Sequence, residues 1–304
     1  MLDLLNIFHN SQPTFLIFVG VLSLIIGSFL NVVIVRLPVA LHKDWRKQCY
    51  DFLELPVPKK DSDGVHSKNF LHSLVVPRSH CPQCKKTVKF YDNIPVLSYI
   101  LLRGKCRTCK KHISWRYPSV EIIATITGVS VAAKFGVTWQ TLAGCVLSYI
   151  LIVQSCIDLQ HMLIPDEITL PILWLGLLLS LGNIFIDPNT AIIGATAGYL
   201  SLWCIYWAFY IFTGKEGMGY GDFKLLAMLG AWLGWQSLSF VVLFSSLLGT
   251  IIGGWLLIFT KILKERRIPF GPFIAIAGWT AMLWGSQIND WYLNLLFNDI
   301  RGLL

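Results

Sequence analysis

Two aspartates and four cysteines are the residues whose types and spacing could do chemistry in this chain. Asp158 ends the apolar run at 148–157. Asp222 closes the glycine-rich turn at 217–221 and opens the apolar run that begins at Phe223. A carboxylate at membrane depth costs about 3 kcal/mol or more unless something satisfies it. Two of them, without matching bases nearby, suggest a shared proton. One carboxylate can then deprotonate a water while the other, protonated, polarises a scissile carbonyl. Such a pair titrates as a unit. The pattern points to an intramembrane aspartic peptidase, with the glycines before Asp222 letting a substrate backbone approach closely. Each aspartate also has a plainer reading. Asp222 is placed to cap a helix after a glycine turn, and Asp158 to end a helix in interfacial water.

Three other charged positions lie close by in sequence. Asp166 follows Ile164-Pro165 and precedes Glu167, where acids stabilise a helix N-terminus; capping is the preferred reading over catalysis. Lys224 has two readings, snorkelling to the headgroups or standing near the aspartates. Glu121 faces either the helix bundle or the interface.

The cysteines form two knuckles. Cys81-Pro82-Gln83-Cys84 is followed, after 21 intervening residues, by Cys106-Arg107-Thr108-Cys109. Paired knuckles of this kind place four thiolates around one tetrahedral zinc. Cys49, Cys145, Cys156 and Cys204 show no such pairing. Two structural disulfides are the alternative, disfavoured if the segment lies in a reducing compartment. A catalytic zinc is disfavoured because four cysteines leave no open position. The expected site is structural and folds a domain too small to hold a large core without metal. His80 and His112 flank the knuckles. The apolar stretch at 94–102 is too short to span a bilayer and should lie on the zinc module or along the membrane surface.

These residues must be positioned by membrane helices. The chain has 304 residues, 55% hydrophobic and only 14% charged, which excludes an ordinary soluble enzyme. A chain in lipid spans as helices, because lipid leaves no partner for unpaired backbone groups. The expected fold is an all-α polytopic membrane protein with about eight transmembrane helices. At about 20 residues per crossing, the spans fall near 14–35, 117–133, 137–157, 167–186, 190–212, 223–235, 237–260 and 270–296, with the sixth short. Three parts follow: a first transmembrane helix within 1–35, a loop domain with the four-cysteine zinc site at 36–116, and a seven-helix peptidase core at 117–304. Met1 to Gln12 lacks a basic n-region, so the first apolar run is expected to remain as an anchor. Glycines at 249, 253 and 254 suggest close helix packing, and residues 43–69 read as a surface insertion.

Charge sets the sidedness. Of the 25 Lys and Arg, 17 lie between Arg36 and Arg116, with only six of the 17 Asp and Glu. This basic stretch reads as a cytoplasmic loop obeying the positive-inside rule rather than as a nucleic-acid surface. Eight crossings then put 158–166, 213–222 and the basic cluster at 261–267 on the cytoplasmic side. Both aspartates fall at that face, and both termini fall opposite.

The chain resembles the type IV prepilin peptidases, bifunctional leader peptidase/N-methyltransferases of Gram-negative bacteria. The likeness is carried by GSFLNVVIVRLP at 27–38, PRSHCPQC at 77–84, DNIPVLSY at 92–99, RGKCRTC at 103–109, ISWRYPSVE at 113–121, IDLQHMLIPD at 157–166 and GMGYGDFK at 217–224. It implies Asp158 and Asp222 as the catalytic pair and Cys81, Cys84, Cys106 and Cys109 as zinc ligands. It further implies a bacterial inner-membrane enzyme whose substrates are type IV prepilins and pseudopilins. Such an enzyme removes a short basic leader at the cytoplasmic face, then methylates the new N-terminal residue, usually Phe, with S-adenosylmethionine. No glycine-rich nucleotide fingerprint is present; Arg103-Gly104-Lys105 is the stretch the resemblance suggests for the methyltransferase half. A peptidase without methyltransferase activity is the nearest alternative. A proton-coupled transporter would want its acids near mid-span, whereas these lie near segment ends.

Overall fold

The computed structural model describes residues 8, 10–55, 79–81, 83–215, 217–259 and 268–301. The described residues are helical apart from short turns and two isolated bridges. They divide into two compact units, residues 1–133 and 134–304.

In the first unit, α1 (Gln12–Phe52) is followed by a 3-10 turn (Phe90–Asn93), the short α2 (Leu97–Leu101) and α3 (Arg116–Phe135). The polar segment was expected to begin at Arg36. Instead α1 runs on through Pro38 to Phe52, 41 residues in all. At 1.5 Å per residue that is about 60 Å, twice the hydrocarbon thickness. Its charged end, 43–52, is accordingly almost wholly exposed. Two of the sequence motifs meet where α1 crosses α3. A side chain on Gly27 would lie 2.8 Å from the Glu121 Cα. One turn on, the Asn31 amide donates to the Tyr117 carbonyl at 3.0 Å. Residues 94–102 do not span, as their length required; Leu97, Ile100 and Leu101 are exposed.

The second unit holds α4 (Trp139–His161), α5 (Asp166–Ser180), α6 (Pro188–Thr213), α7 (Tyr220–Leu233), α8 (Trp235–Phe259) and α9 (Gly271–Arg301). Local chemistry sets their ends. The Thr138 hydroxyl accepts from the Thr141 N–H to cap α4. Asp187 accepts from the Thr190 N–H at 3.1 Å, with Pro188 in the first turn, to start α6. Gly214 ends α6 in the left-handed region.

The centre of this unit is α7. From Phe223 to Trp232 every residue except Lys224 is buried. Glycines admit its backbone: Gly194 on α6 and Gly230 on α7 face each other so closely that a side chain on either would collide with the other's carbonyl. Gly198 repeats the approach against Leu226, and Gly176 on α5 leaves room for Trp232, whose indole donates to the Ile172 carbonyl at 2.8 Å. Of the glycines expected to pack closely, Gly249 lies against Phe273 and Gly253 against Ile268, where an added Cβ would come within 3.4 and 3.2 Å, while Gly254 faces open space.

Five helices are long and apolar enough to cross a membrane among the described residues: α1, α3, α4, α6 and α8. The expectation of eight is met only in part. With 14 residues α7 is shorter than a span, and α5, expected to reach 186, stops at Ser180 after 15. Long as it is, α9 is diluted by Gly, Trp, Ser and Gln. The insertion at 43–69 lies partly, and the basic cluster at 261–267 wholly, outside the described residues.

Gly230→Ala should force α6 and α7 apart and destabilise the unit by about 1–3 kcal/mol. Thermal unfolding in detergent should show a lower midpoint than for Gly254→Ala, which is expected to match the unsubstituted protein. Equal midpoints for the two variants would contradict the close-packed seam.

Candidate active site and metal centre

Asp158 occupies the last turn of α4 and is only 6% exposed. The helix closes behind it: Met162, in the left-handed region, donates its N–H to the Asp158 carbonyl at 2.8 Å. Asp222 lies in the first turn of α7, 7% exposed. It does not cap that helix. Gly219 holds the cap position, and the Asp222 N–H donates to its carbonyl at 3.2 Å. The two carboxylates lie within electrostatic range of each other.

Ile164, on the turn after α4, explains how they meet. A Cβ added to Gly221 would lie 3.0 Å from the Ile164 Cβ, and one added to Gly271 would lie 3.0 Å from its Cδ1. The buried isoleucine is thus wedged against the backbone beside Asp222 and against the head of α9. At that head the Gly271 N–H donates to Asp158 Oδ2 at 3.0 Å, in a buried contact.

Lys224 is paired with Asp166 rather than with Asp158 or Asp222. Its ammonium meets Asp166 Oδ2 at 2.6 Å, joining the first turn of α5 to the first turn of α7. Asp166 still sits where an acid favours the α5 N-terminus, but Pro165 holds the cap position and makes no side-chain cap. Both Asp158 and Asp222 stand at helix ends.

In the first unit the four sulfurs of Cys81, Cys84, Cys106 and Cys109 lie within 4.8 Å of one another. Cys81 and Cys109, from different knuckles, are 3.8 Å apart. A four-thiolate tetrahedron with bonds of about 2.3 Å spaces its sulfurs about 3.8 Å apart, so the residues fit a single metal ion. The knuckles are copies of one turn. Cys81 N–H donates to the Lys86 carbonyl and Lys85 N–H to the Cys81 carbonyl; Cys106 and Lys111, Lys110 and Cys106 repeat both bonds. The backbone N–H groups of Cys84 and Gln83 serve the Cys81 sulfur, and those of Cys109 and Thr108 serve Cys106. The Cys84 N–H is the chief reason the Cys81 thiol is lowered to about 6. Lys111 N–H favours the Cys109 thiolate, but desolvation and the neighbouring sulfurs outweigh it and push Cys109 up to about 11.

Comparison with known proteins gives the family. Residues 21–135 match the bacterial peptidase A24 N-terminal domain, and residues 145–254 match the type IV leader peptidase family. The prepilin leader peptidase/N-methyltransferase of Aeromonas hydrophila is 48% identical over 290 residues, covering 95% of this chain and 98% of that protein. The chain belongs to the type IV leader peptidase family. Proteins of the same name from Stutzerimonas stutzeri (47% identical, 94% of this chain and 96% of theirs) and Legionella pneumophila (41%, 95% and 99%) are similar along nearly their whole length. No solved structure matches.

Within this leader peptidase fold, several motifs prove to be braces. Asp92 receives a forked hydrogen bond from Arg107, with Arg107 Nη2 at 2.6 Å, tying the 3-10 turn to the second knuckle. Glu121, buried at the start of α3, accepts the Val96 N–H at 2.7 Å. Tyr99 donates to the Ile113 carbonyl at 3.3 Å and fills the space beside Gly104, where a Cβ would lie 2.8 Å from its hydroxyl. The part of Gly271 at Asp158 was not foreseen. The matched peptidase segment ends at residue 254, and nothing local marks a backbone donor 113 residues away from its acceptor.

Purified protein should carry about one divalent metal per chain by atomic emission, and Cys81→Ser should lose it along with protease resistance of the loop. Unchanged stoichiometry in that variant would remove the metal assignment.

Proposed function

We propose that this chain is a bacterial inner-membrane aspartic endopeptidase. It removes the short basic leader from type IV prepilins and type II secretion pseudopilins, then N-methylates the new N-terminal residue, usually Phe. The observation that carries the peptidase half is the convergence of Asp158 and Asp222, both buried, on one isoleucine wedge, while the nearby Lys224 is directed at Asp166. Two buried carboxylates without a countercharge share a proton, and that is the machinery for adding water to a peptide carbonyl. One acid takes a proton from water and the other donates to the carbonyl oxygen.

On that reading the chain has three parts: a first transmembrane helix within 1–35, a cytoplasmic loop domain at 36–116 whose start continues the same helix to Phe52, and a peptidase core at 117–304. Eight crossings place both aspartates at the cytoplasmic face, where a leader that has not crossed the membrane would be found. A helix enclosed by other helices need not match the bilayer thickness, so the buried α7 serves as a short inner crossing; α5 crosses with Trp174 and Leu178 exposed, and α9 completes the count. A pilin helix would enter from lipid.

Zinc is the metal the cysteines suit. Four thiolates close its coordination shell, so it braces the loop and activates no water. S-adenosylmethionine supplies the methyl group. At 103–105 the fit to that donor fails on one count: the space at Gly104 is filled by Tyr99. Arg103 and Lys105 remain exposed beside it, and no step is assigned to them.

Mass spectrometry of a synthetic prepilin incubated with detergent-purified protein should show loss of the leader, and one added methyl when S-adenosylmethionine is present. Loss of the leader alone would support the peptidase without the methyltransferase. Asp158→Asn and Asp222→Asn should each lower the cleavage rate by about 10²–10⁴-fold at normal protein yield. Full cleavage by either would sink the dyad.

A further inference from the structure

We propose that Gly271 is a positioning residue for peptide cleavage: its backbone N–H and its missing side chain together hold Asp158 as the base that activates water, which leaves Asp222 as the acid. This rests on the reading of the two aspartates as the catalytic pair and deepens it, because the pair alone does not say which acid does which half of the work.

Gly271 is the first residue of α9. The first N–H groups of any helix lack partners within it. Here they are nearly all disposed of. Pro272 has none, and Phe273 and Ile274 both donate to the Phe270 carbonyl, at 3.0 and 3.3 Å. The Gly271 N–H is directed instead at Asp158 Oδ2, 3.0 Å away and out of contact with solvent. A hydrogen bond from a fixed donor favours the charged form of a carboxylate, and so does the positive end of a helix. Asp222 also stands in the first turn of a helix and accepts from the backbone at Gly219; but that donor belongs to its own turn, whereas the donor to Asp158 is anchored at the head of a separate helix, where its N–H lies 3.0 Å from Oδ2.

The absent side chain matters as much as the N–H. A Cβ at position 271 would lie 2.5 Å from Asp158 Oδ2, 3.3 Å from its Cγ and 3.0 Å from Ile164 Cδ1. It would push the carboxylate away and loosen the wedge that also bears on Gly221. The requirement for glycine here is one of space.

With these roles the reaction closes. Asp158 takes a proton from water as the water oxygen bonds to the scissile carbonyl carbon. The carbonyl π pair moves onto its oxygen, which receives the Asp222 proton. Collapse of the resulting diol breaks the C–N bond. The amine leaves with the proton held on Asp158, and one diol hydroxyl returns its proton to Asp222. Both acids finish as they began.

Two variants test the assignment. Gly271→Ala keeps the N–H but adds the colliding carbon. Glycolate introduced at position 271 by nonsense suppression replaces the N–H with an ester oxygen and adds no side chain. Each should lower kcat for cleavage by about 10- to 100-fold, leave KM within about twofold, and leave methylation of an already leaderless pilin at its normal rate. Unchanged kcat in both variants overturns the proposal. So does a parallel fall in cleavage and methylation accompanied by a lower Tm, the mark of a merely structural glycine. Asp158→Asn is run alongside. Cleavage surviving in it removes the dyad itself, whereas cleavage lost there but undiminished in both Gly271 variants removes the Gly271 role alone.

Discussion

A carboxylate shut away from water among apolar helices persists only where polar partners have been built to meet it. In this protein the burial of Asp158 and Asp222 organises the second unit. The helix carrying Asp158 ends within a turn of it, so that the chain can double back and seat Ile164. The helix carrying Asp222 begins within a turn of it, and Gly221 lets its backbone pass beneath that isoleucine. The last helix begins where its first N–H can reach Asp158. Three helix ends converge on two acids, and helix ends are where a bundle keeps its unpaired backbone groups.

The second demand is that α7 be placed accurately. It is met by contacts that leave little slack: glycine against glycine toward α6, glycine against indole toward α5, and Gly278 beneath Leu229 toward α9. The Lys224–Asp166 ion pair fixes the α7 N-terminus in rotation. An ion pair of this half-buried kind is worth little as stability. Its use is orientation, since it lies two residues from Asp222.

Much of this was legible in the sequence. The aspartates announced themselves because acids are rare in apolar runs, and the cysteines because their spacing has few other uses. Helix ends were less legible. The polar segment was read as beginning at Arg36, yet α1 continues to Phe52, because polar residues beyond the apolar span are still good helix formers. The 181–186 segment read as membrane, yet it turns, because Gly182 and Asn183 outweigh a few apolar neighbours. Motif likeness marked Asp92, Tyr99 and Glu121 without saying what they do. Their partners are a guanidinium, a glycine turn and a backbone N–H, and each lies 12 or fewer residues away only in the case of Gly104. Gly271 was invisible for the same reason in stronger form: a backbone donor has no side-chain signature.

The two knuckles repay a closer look. Each presents two sulfurs from one preformed turn, with Lys85 and Lys110 in the same left-handed conformation, so each is a two-toothed ligand whose shape is settled before any ion arrives. An ion held there would act as a cross-link, closing a loop of about 20 residues in the manner of a staple, and the chain entropy it removed would grow only slowly with loop length. Insertions between the knuckles should therefore be tolerated far better than any change within them. The module behaves as a clasp with two rigid jaws and an adjustable strap.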